Sequence, residues 1–240
     1  MRHYLTQLDT AATRFARILA EGDLAAPVSP CPGWTLAELG DHLGGIHQWA
    51  THAVVDRTPD GESSPAPKDR GGLVRWYQDS AATLLDTLRA TDPATPVWAF
   101  GPKPRTAAFW YRRQAHETTI HLWDAASSQG ETAPIDAGLA RDGIDELLTV
   151  FFPRQVRLNR MPALESSLAI RTGEPGQRWV VAGDGLGPGS APDAPADATV
   201  TGPAEALYLL LWRRIGLEDP RLLVDNSGAA DAVLSSGLTP

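Results

Sequence analysis

Apolar residues recur every three or four positions through the first half of the chain, which predicts a run of amphipathic helices. Tyr4, Leu5, Leu8, Ala12, Phe15, Ile18 and Leu19 form the stripe of a helix over 2–20, with Gly22 placed to stop it. Thr35 followed by Glu38 is a capping box, in which the Thr side chain accepts from an orphan backbone N–H and the Glu reaches back. The helix it starts carries Leu36, Leu39, Leu43, Ile46 and Trp49 and runs to about Val55. Asp56 to Gly72 is rich in Pro, Gly, Ser and charge and reads as a loop. A third helix spans roughly 73–90 on Leu73, Trp76, Tyr77, Leu84, Leu85 and Leu88. A fourth runs from near Thr106 to about Ser127. Four helices of ~15–20 residues joined by loops predict a helical bundle.

The pattern changes after Gly130. One helix is expected over 136–150. Short apolar runs at 167–171 and 178–181 then read as strands around a Gly-Glu-Pro-Gly turn. The stretch 183–198 is low in complexity and reads as a loop. A strand at 198–201, a strongly apolar helix over 203–215 and a strand at 222–224 complete a small α+β part. The expectation is a mainly α chain in two domains, a helical bundle over 1–130 and an α+β domain over 131–240. No internal repeat is visible.

Composition narrows the function. The chain has 240 residues and a formal net charge of −8. That acidic balance argues against binding phosphate backbones or an anionic membrane surface, both of which call for a basic footprint. No apolar run reaches the ~18–20 residues needed to span a bilayer, and Met1–Gln7 lacks the apolar core of a signal segment. One cysteine, Cys31, excludes an internal disulfide framework. A cytoplasmic protein, monomeric or weakly dimeric, acting on a small molecule is the expectation. All six His lie at or before position 121, and six of the eight Trp fall in the same half. Residue types suited to metal and acid–base chemistry are thus confined to the bundle.

Within the fourth helix, Glu117 and His121 are four residues apart, which puts them ~40° apart on one face. A carboxylate and an imidazole so placed can share a divalent cation, or can be an ordinary solvated face. Arg113 precedes them at the same spacing, and Asp124 is placed to orient His121 through its second ring nitrogen. His42, in the second helix, sits beside Gly44-Gly45. Two glycines in a helix interior cost roughly 1 kcal/mol each relative to Ala, tolerable where another backbone or a ligand approaches closely. If the two helices face each other, His42, Glu117 and His121 make a set of two His and one carboxylate with open positions, as in catalytic zinc sites. Alternatively, His42 is a hydrogen-bonded core histidine. His47 and His52 are expected to be partly exposed, His116 at the surface and His3 inert near the terminus. Cys31 lies between two prolines with no cationic neighbour in sequence to activate it, and reads as structural or incidental. No dinucleotide-binding, P-loop or Gly-x-Ser-x-Gly pattern is present.

At these residues the chain resembles a known family. The run Cys31-Pro-Gly-Trp-Thr-Leu-Ala-Glu-Leu-Gly-Asp-His-Leu-Gly-Gly45 and the later Arg113-x3-Glu117-x3-His121-x-Trp123-Asp124 are similar to the two signatures of the mycothiol-dependent maleylpyruvate isomerase family, within the DinB-like superfamily of four-helix bundles. The stretch Pro203–Arg214 is similar to that family's C-terminal α+β domain. The resemblance implies a DinB-like bundle holding a divalent metal, usually zinc, on His42, Glu117 and His121, with mycothiol as thiol cosubstrate in an actinobacterial cytoplasm. It implies an isomerase or S-transferase in which the metal activates a thiolate toward a small electrophile. The reactive sulfur would then come from the cosubstrate, not from Cys31, and the His-free half would shape the pocket without supplying ligands. Two other readings stand beside it: a metal-dependent hydrolase or lyase using water on the same bundle, and a non-catalytic metal-binding or regulatory protein.

Overall fold

The structure is a computed structural model that describes residues 1–173, 176–183 and 194–239. Cα packing divides the chain into two compact units, 1–134 and 135–240. Unit one is built from α1 (Arg2–Glu21), α2 (Leu36–Val55), α3 (Arg70–Ala90) and α4 (Ala108–Ser128). Both α1 and α2 pack on α3 and on α4. Phe15, Ile18 and Leu19 of α1 meet Leu36, Leu39 and Leu43 of α2 and Tyr77 of α3 in one apolar core.

Local chemistry sets the helix ends. At α2 the capping box is made: Glu38 N–H donates to Thr35 Oγ1 and Thr35 N–H donates to Glu38 Oε2. Helix α3 begins three residues before the expected start, because Asp69 accepts from the Gly72 N–H and caps a turn that Gly71-Gly72 appeared to break. Arg70 at its first position donates to the carbonyls of Leu19, Ala20 and Gly22. A cation thereby satisfies the orphan acceptors at the C-terminus of α1. The loop before α3 is tied down where Ser64 N–H donates to Gln48 Oε1 and Trp76 Nε1 donates to Ser64 Oγ.

Gly44 and Gly45 differ in what surrounds them. A Cβ at Gly44 would sit 2.1 Å from the Trp76 ring of α3, whereas one at Gly45 would meet nothing within 4 Å. The close approach expected here is made by an indole and not by backbone.

Helix α4 is buried on nearly every face, including Arg113, Gln114, His116, Thr118, Thr119, His121 and Asp124. This corrects two expectations. His116, expected at the surface, is fully buried, and its ring lies 6.4 Å from that of Tyr4 on α1. His47, expected to be partly exposed, is also fully buried: its Nε2 hydrogen-bonds Thr118 Oγ1 at 3.0 Å, and its ring lies 5.5 Å from that of Tyr77. His47 follows Leu43 by one turn and so continues the apolar stripe of α2. His52 is partly exposed beside Asp56, as expected, and His3 is exposed.

Unit two joins helices to a four-stranded sheet. Helix α5 (Ala137–Glu146) passes through a π-helical turn, Leu147–Phe151, into α6 (Phe152–Arg157). Pro153 lies in the first turn of α6. Proline has no N–H to donate, and the wider turn shifts the hydrogen-bond register before it. The expected single helix over 136–150 is thus longer and irregular. Strands β1 (Leu164–Thr172), β2 (Arg178–Gly183), β3 (Ala198–Gly202) and β4 (Leu223–Asp225) lie in the order β2-β1-β3-β4, with β1 parallel to β3 and the outer pairs antiparallel. The β1 and β3 strands bury Leu168, Ala169, Ile170, Ala198 and Val200. Helix α7 (Ala204–Leu211) is apolar all round and buries every residue but Glu205. It stops before the expected 215, because Arg213 adopts a left-handed φ of 61°. Helix α8 (Ser227–Leu234), absent from the sequence expectation, is capped by Asn226 and buries Ala230 and Val233. Most of the loop expected over 183–198, residues 184–193, lies outside the described residues. No helix is long and apolar enough to cross a membrane, among the described residues.

Two predictions follow from the bundle. Gly44→Ala forces the Trp76 ring to move and lowers unfolding free energy by about 1–3 kcal/mol, whereas Gly45→Ala raises it by about 0.5–1 kcal/mol; denaturant midpoints of the pair report both signs. Burial holds the His47 imidazole down at about 3, against an ordinary 6.5. Between those values the unfolded chain binds the proton that the folded chain refuses, so stability falls as pH drops through this window. His47→Gln removes that slope, which chemical denaturation at a series of pH values measures.

Candidate metal centre

The site is built from one face of α4 and one residue of α2. Arg113, Glu117, His121 and Asp124 succeed one another at intervals of four, four and three residues, so their side chains form a column along the helix. Glu117 is the middle of that column. Its Oε2 accepts from Arg113 Nη2 at 2.7 Å. Its Oε1 lies 3.3 Å from His121 Nε2 and 3.5 Å from His42 Nε2. The two imidazoles stand at 82° with centroids 5.2 Å apart. His121 Nδ1 is 2.9 Å from Asp124 Oδ2, with Asp124 fully buried as acceptor. The structure thus brings together all five residues singled out in the sequence: His42, Glu117 and His121, with Arg113 and Asp124 behind them.

Charge balance governs this column. Burial pushes the Glu117 carboxyl up, but the Arg113 guanidinium and the hydrogen bonds from His121 and His42 outweigh it and hold it well below the usual carboxylate range. Burial likewise pushes the His121 imidazole down, while Asp124 and Glu117 on its two nitrogens hold it up at about 9. The carboxylate is therefore ionised at neutral pH with one oxygen committed to Arg113. Its other oxygen is aimed at two ring nitrogens.

Ligand atoms from His42, Glu117 and His121 all lie within 4.8 Å of one another. Around a tetrahedral cation with ~2.0–2.1 Å bonds, neighbouring donors sit about 3.3–3.5 Å apart, which matches the two nitrogen–oxygen separations here. The donor set, two neutral-capable imidazoles and a carboxylate, is that of zinc and related divalent ions. The His42 side chain keeps 31% exposure and Glu117 17%, so the group opens to one side while Arg113 and Asp124 close the other.

Two neighbours escaped the sequence reading. Trp34 packs against His42, with ring centroids 4.7 Å apart and the planes tilted by 52°. Cys31 Sγ lies 3.9 Å from Asp124 Oδ2, although nothing adjacent in sequence hinted at such company. Both come from the turn before α2. There Val28 N–H donates to Trp34 O, Cys31 N–H to Val28 O and Trp34 N–H to Cys31 O. The signal available in sequence was the turn itself, Pro-Cys-Pro-Gly-Trp directly before a capping box.

Comparisons with known proteins agree with this layout. A solved structure of the mycothiol-dependent maleylpyruvate isomerase is similar with a TM-score of 0.63 at 16% identity, covering 94% of this chain and 93% of that one. A variant of that enzyme with one histidine replaced by alanine is similar with a TM-score of 0.61 at 17% identity, covering 87% of each chain. At such identities the likeness shows the fold. Among curated proteins no sequence matches. The model of the mycothiol maleylpyruvate isomerase N-terminal domain matches residues 5–126 and that of the C-terminal domain of the same family residues 138–233. On those two matches, the chain belongs to the mycothiol maleylpyruvate isomerase family.

Proposed function

We propose that this chain is a divalent-metal-dependent enzyme that uses a low-molecular-weight thiol, mycothiol, to isomerise or thiolate a small electrophilic substrate. The observation that carries the reading is the convergence of His42 Nε2, His121 Nε2 and Glu117 Oε1 on one point that is open on one side. Family membership and a fold shared with a mycothiol-dependent isomerase support the thiol.

The residues divide the work. His42, Glu117 and His121 would hold the cation, zinc by the chemistry of the donors. When bound, such a cation supplies Lewis acidity, which lowers the pKa of a coordinated thiol or polarises a carbonyl. Arg113 keeps Glu117 ionised and presents Oε1 alone. Asp124 accepts a hydrogen bond from His121 Nδ1–H, which would leave Nε2 to face the cation. Trp34 fixes the His42 ring and excludes water from one side of it.

The purified protein is expected to carry about one divalent cation per chain, with His42→Ala and His121→Ala each reducing it to near zero. Elemental analysis decides this, and full metal content in both variants would falsify the ligand set. Arg113→Met and Asp124→Asn keep the ligands but weaken affinity by roughly 10–100-fold. His121 must give up a proton to ligate, and that proton is held at about 9. Cation affinity therefore rises about tenfold per pH unit from pH 6 to 8, as calorimetric titration in a pH series measures. Turnover on unsaturated electrophiles should need added thiol; equal turnover without thiol would overturn the thiol assignment.

A further inference from the structure

A second set of donor atoms shares His121. Asp124 Oδ2 lies 2.9 Å from His121 Nδ1 and 3.9 Å from Cys31 Sγ. One ligand atom from each of the three residues lies within 4.8 Å of the others. For bonds of ~2.3 Å to sulfur and ~2.0–2.2 Å to nitrogen and oxygen, tetrahedral neighbours sit about 3.3–3.7 Å apart. The separations of 2.9 and 3.9 Å are within about 0.5 Å of that range, a shift that small side-chain rotations supply. The sulfur is also held in place. Cys31 N–H donates to Val28 O at 2.9 Å and its own carbonyl accepts from Trp34 N–H at 3.0 Å, which closes a tight turn. Cys31 is half-buried against the apolar core. Asp124 is fully buried.

We propose that Cys31, His121 and Asp124 form a thiolate-bearing cation site on the opposite edge of the His121 ring from His42 and Glu117, selective for soft divalent ions. A sulfur donor favours the softer Cd²⁺ over Mg²⁺ or Ca²⁺. On binding, the Cys31 thiol and His121 Nδ1 each lose a proton to solvent, and His121 keeps the proton on Nε2. The thiolate and the Asp124 carboxylate then neutralise the two charges of the cation. A neutral imidazole has one lone pair, so the two sets compete for it: a cation at Nδ1 excludes one at Nε2. Soft ions are drawn to the sulfur side, and harder ions to the side of Glu117.

The test uses the full-length protein stripped of metal and titrated with Cd²⁺, read by sulfur-to-cadmium charge-transfer absorption. The expected result is a band that saturates near one equivalent in the unmodified protein and in His42→Ala, which lacks the other set. Cys31→Ser abolishes the band and weakens Cd²⁺ binding at least tenfold, while still taking up one Co²⁺ per chain, which shows that it is folded. No band in the unmodified protein or in His42→Ala overturns the proposal, as does an undiminished band in Cys31→Ser. A Cd²⁺ band alongside Co²⁺ uptake that His42→Ala leaves intact would support this site and count against the His42–Glu117–His121 set, so the two readings fail separately.

Discussion

Everything around the candidate centre depends on keeping one carboxylate, that of Glu117, ionised inside a helical bundle. A charge in such surroundings is costly unless it is paired and hydrogen-bonded. Arg113 below it and two imidazoles beyond it meet that demand, and all of them but His42 come from a single helix. The arrangement is directional. Arg113 engages one oxygen, so the other is the face on which His42 and His121 converge. Removing Arg113 would do more than delete an ion pair, because it would free Glu117 to rotate and to protonate.

The rest of the bundle is arranged so that α4 can carry this load. Many of its polar residues are buried, and three are met by neighbours: Thr118 by His47, His121 by Asp124, Asp124 by Cys31. His42 is the member brought from elsewhere, and its ring is steadied by Trp34 from the turn before α2. Gly44, one turn beyond Gly40 on α2, admits the indole of Trp76, as Gly40 admits Leu19. These two close approaches draw α1 and α3 against α2 and fix the helix that delivers His42.

Helices α1 to α4 were legible because their apolar stripes and the Thr35–Glu38 box follow local rules. The Arg113–Glu117–His121–Asp124 column was legible because helical spacing is fixed. Burial around α4 was not legible. A helix enclosed by its neighbours has no solvent face, so polarity stops marking exposure, and His116 was misplaced for that reason. His47 was misplaced because its five-residue offset from His42 says nothing about burial, whereas its one-turn offset from Leu43 places it inside. The π-helical turn before Pro153, the early stop at Arg213 and the Asn226 cap of α8 rest on single residues in unusual backbone states, which periodicity does not register. Cys31 shows the same limit in space: the carboxylate of Asp124 beside it is 93 positions away in sequence.

The capping box at the start of α2 has one more effect. It lies seven residues, close to two turns, before His42, and each residue advances a helix by ~100°. Thr35 and Glu38 therefore act as an origin for the rotation of α2, setting the angle at which the imidazole leaves the helix. Lengthening the segment between cap and histidine by one residue would leave the cap and the turn intact, yet rotate His42, together with Leu43 and His47, through ~100° relative to Leu36 and Leu39 and out of register with the column on α4. The site is thus phased by a hydrogen-bonded cap two turns away from its ligand.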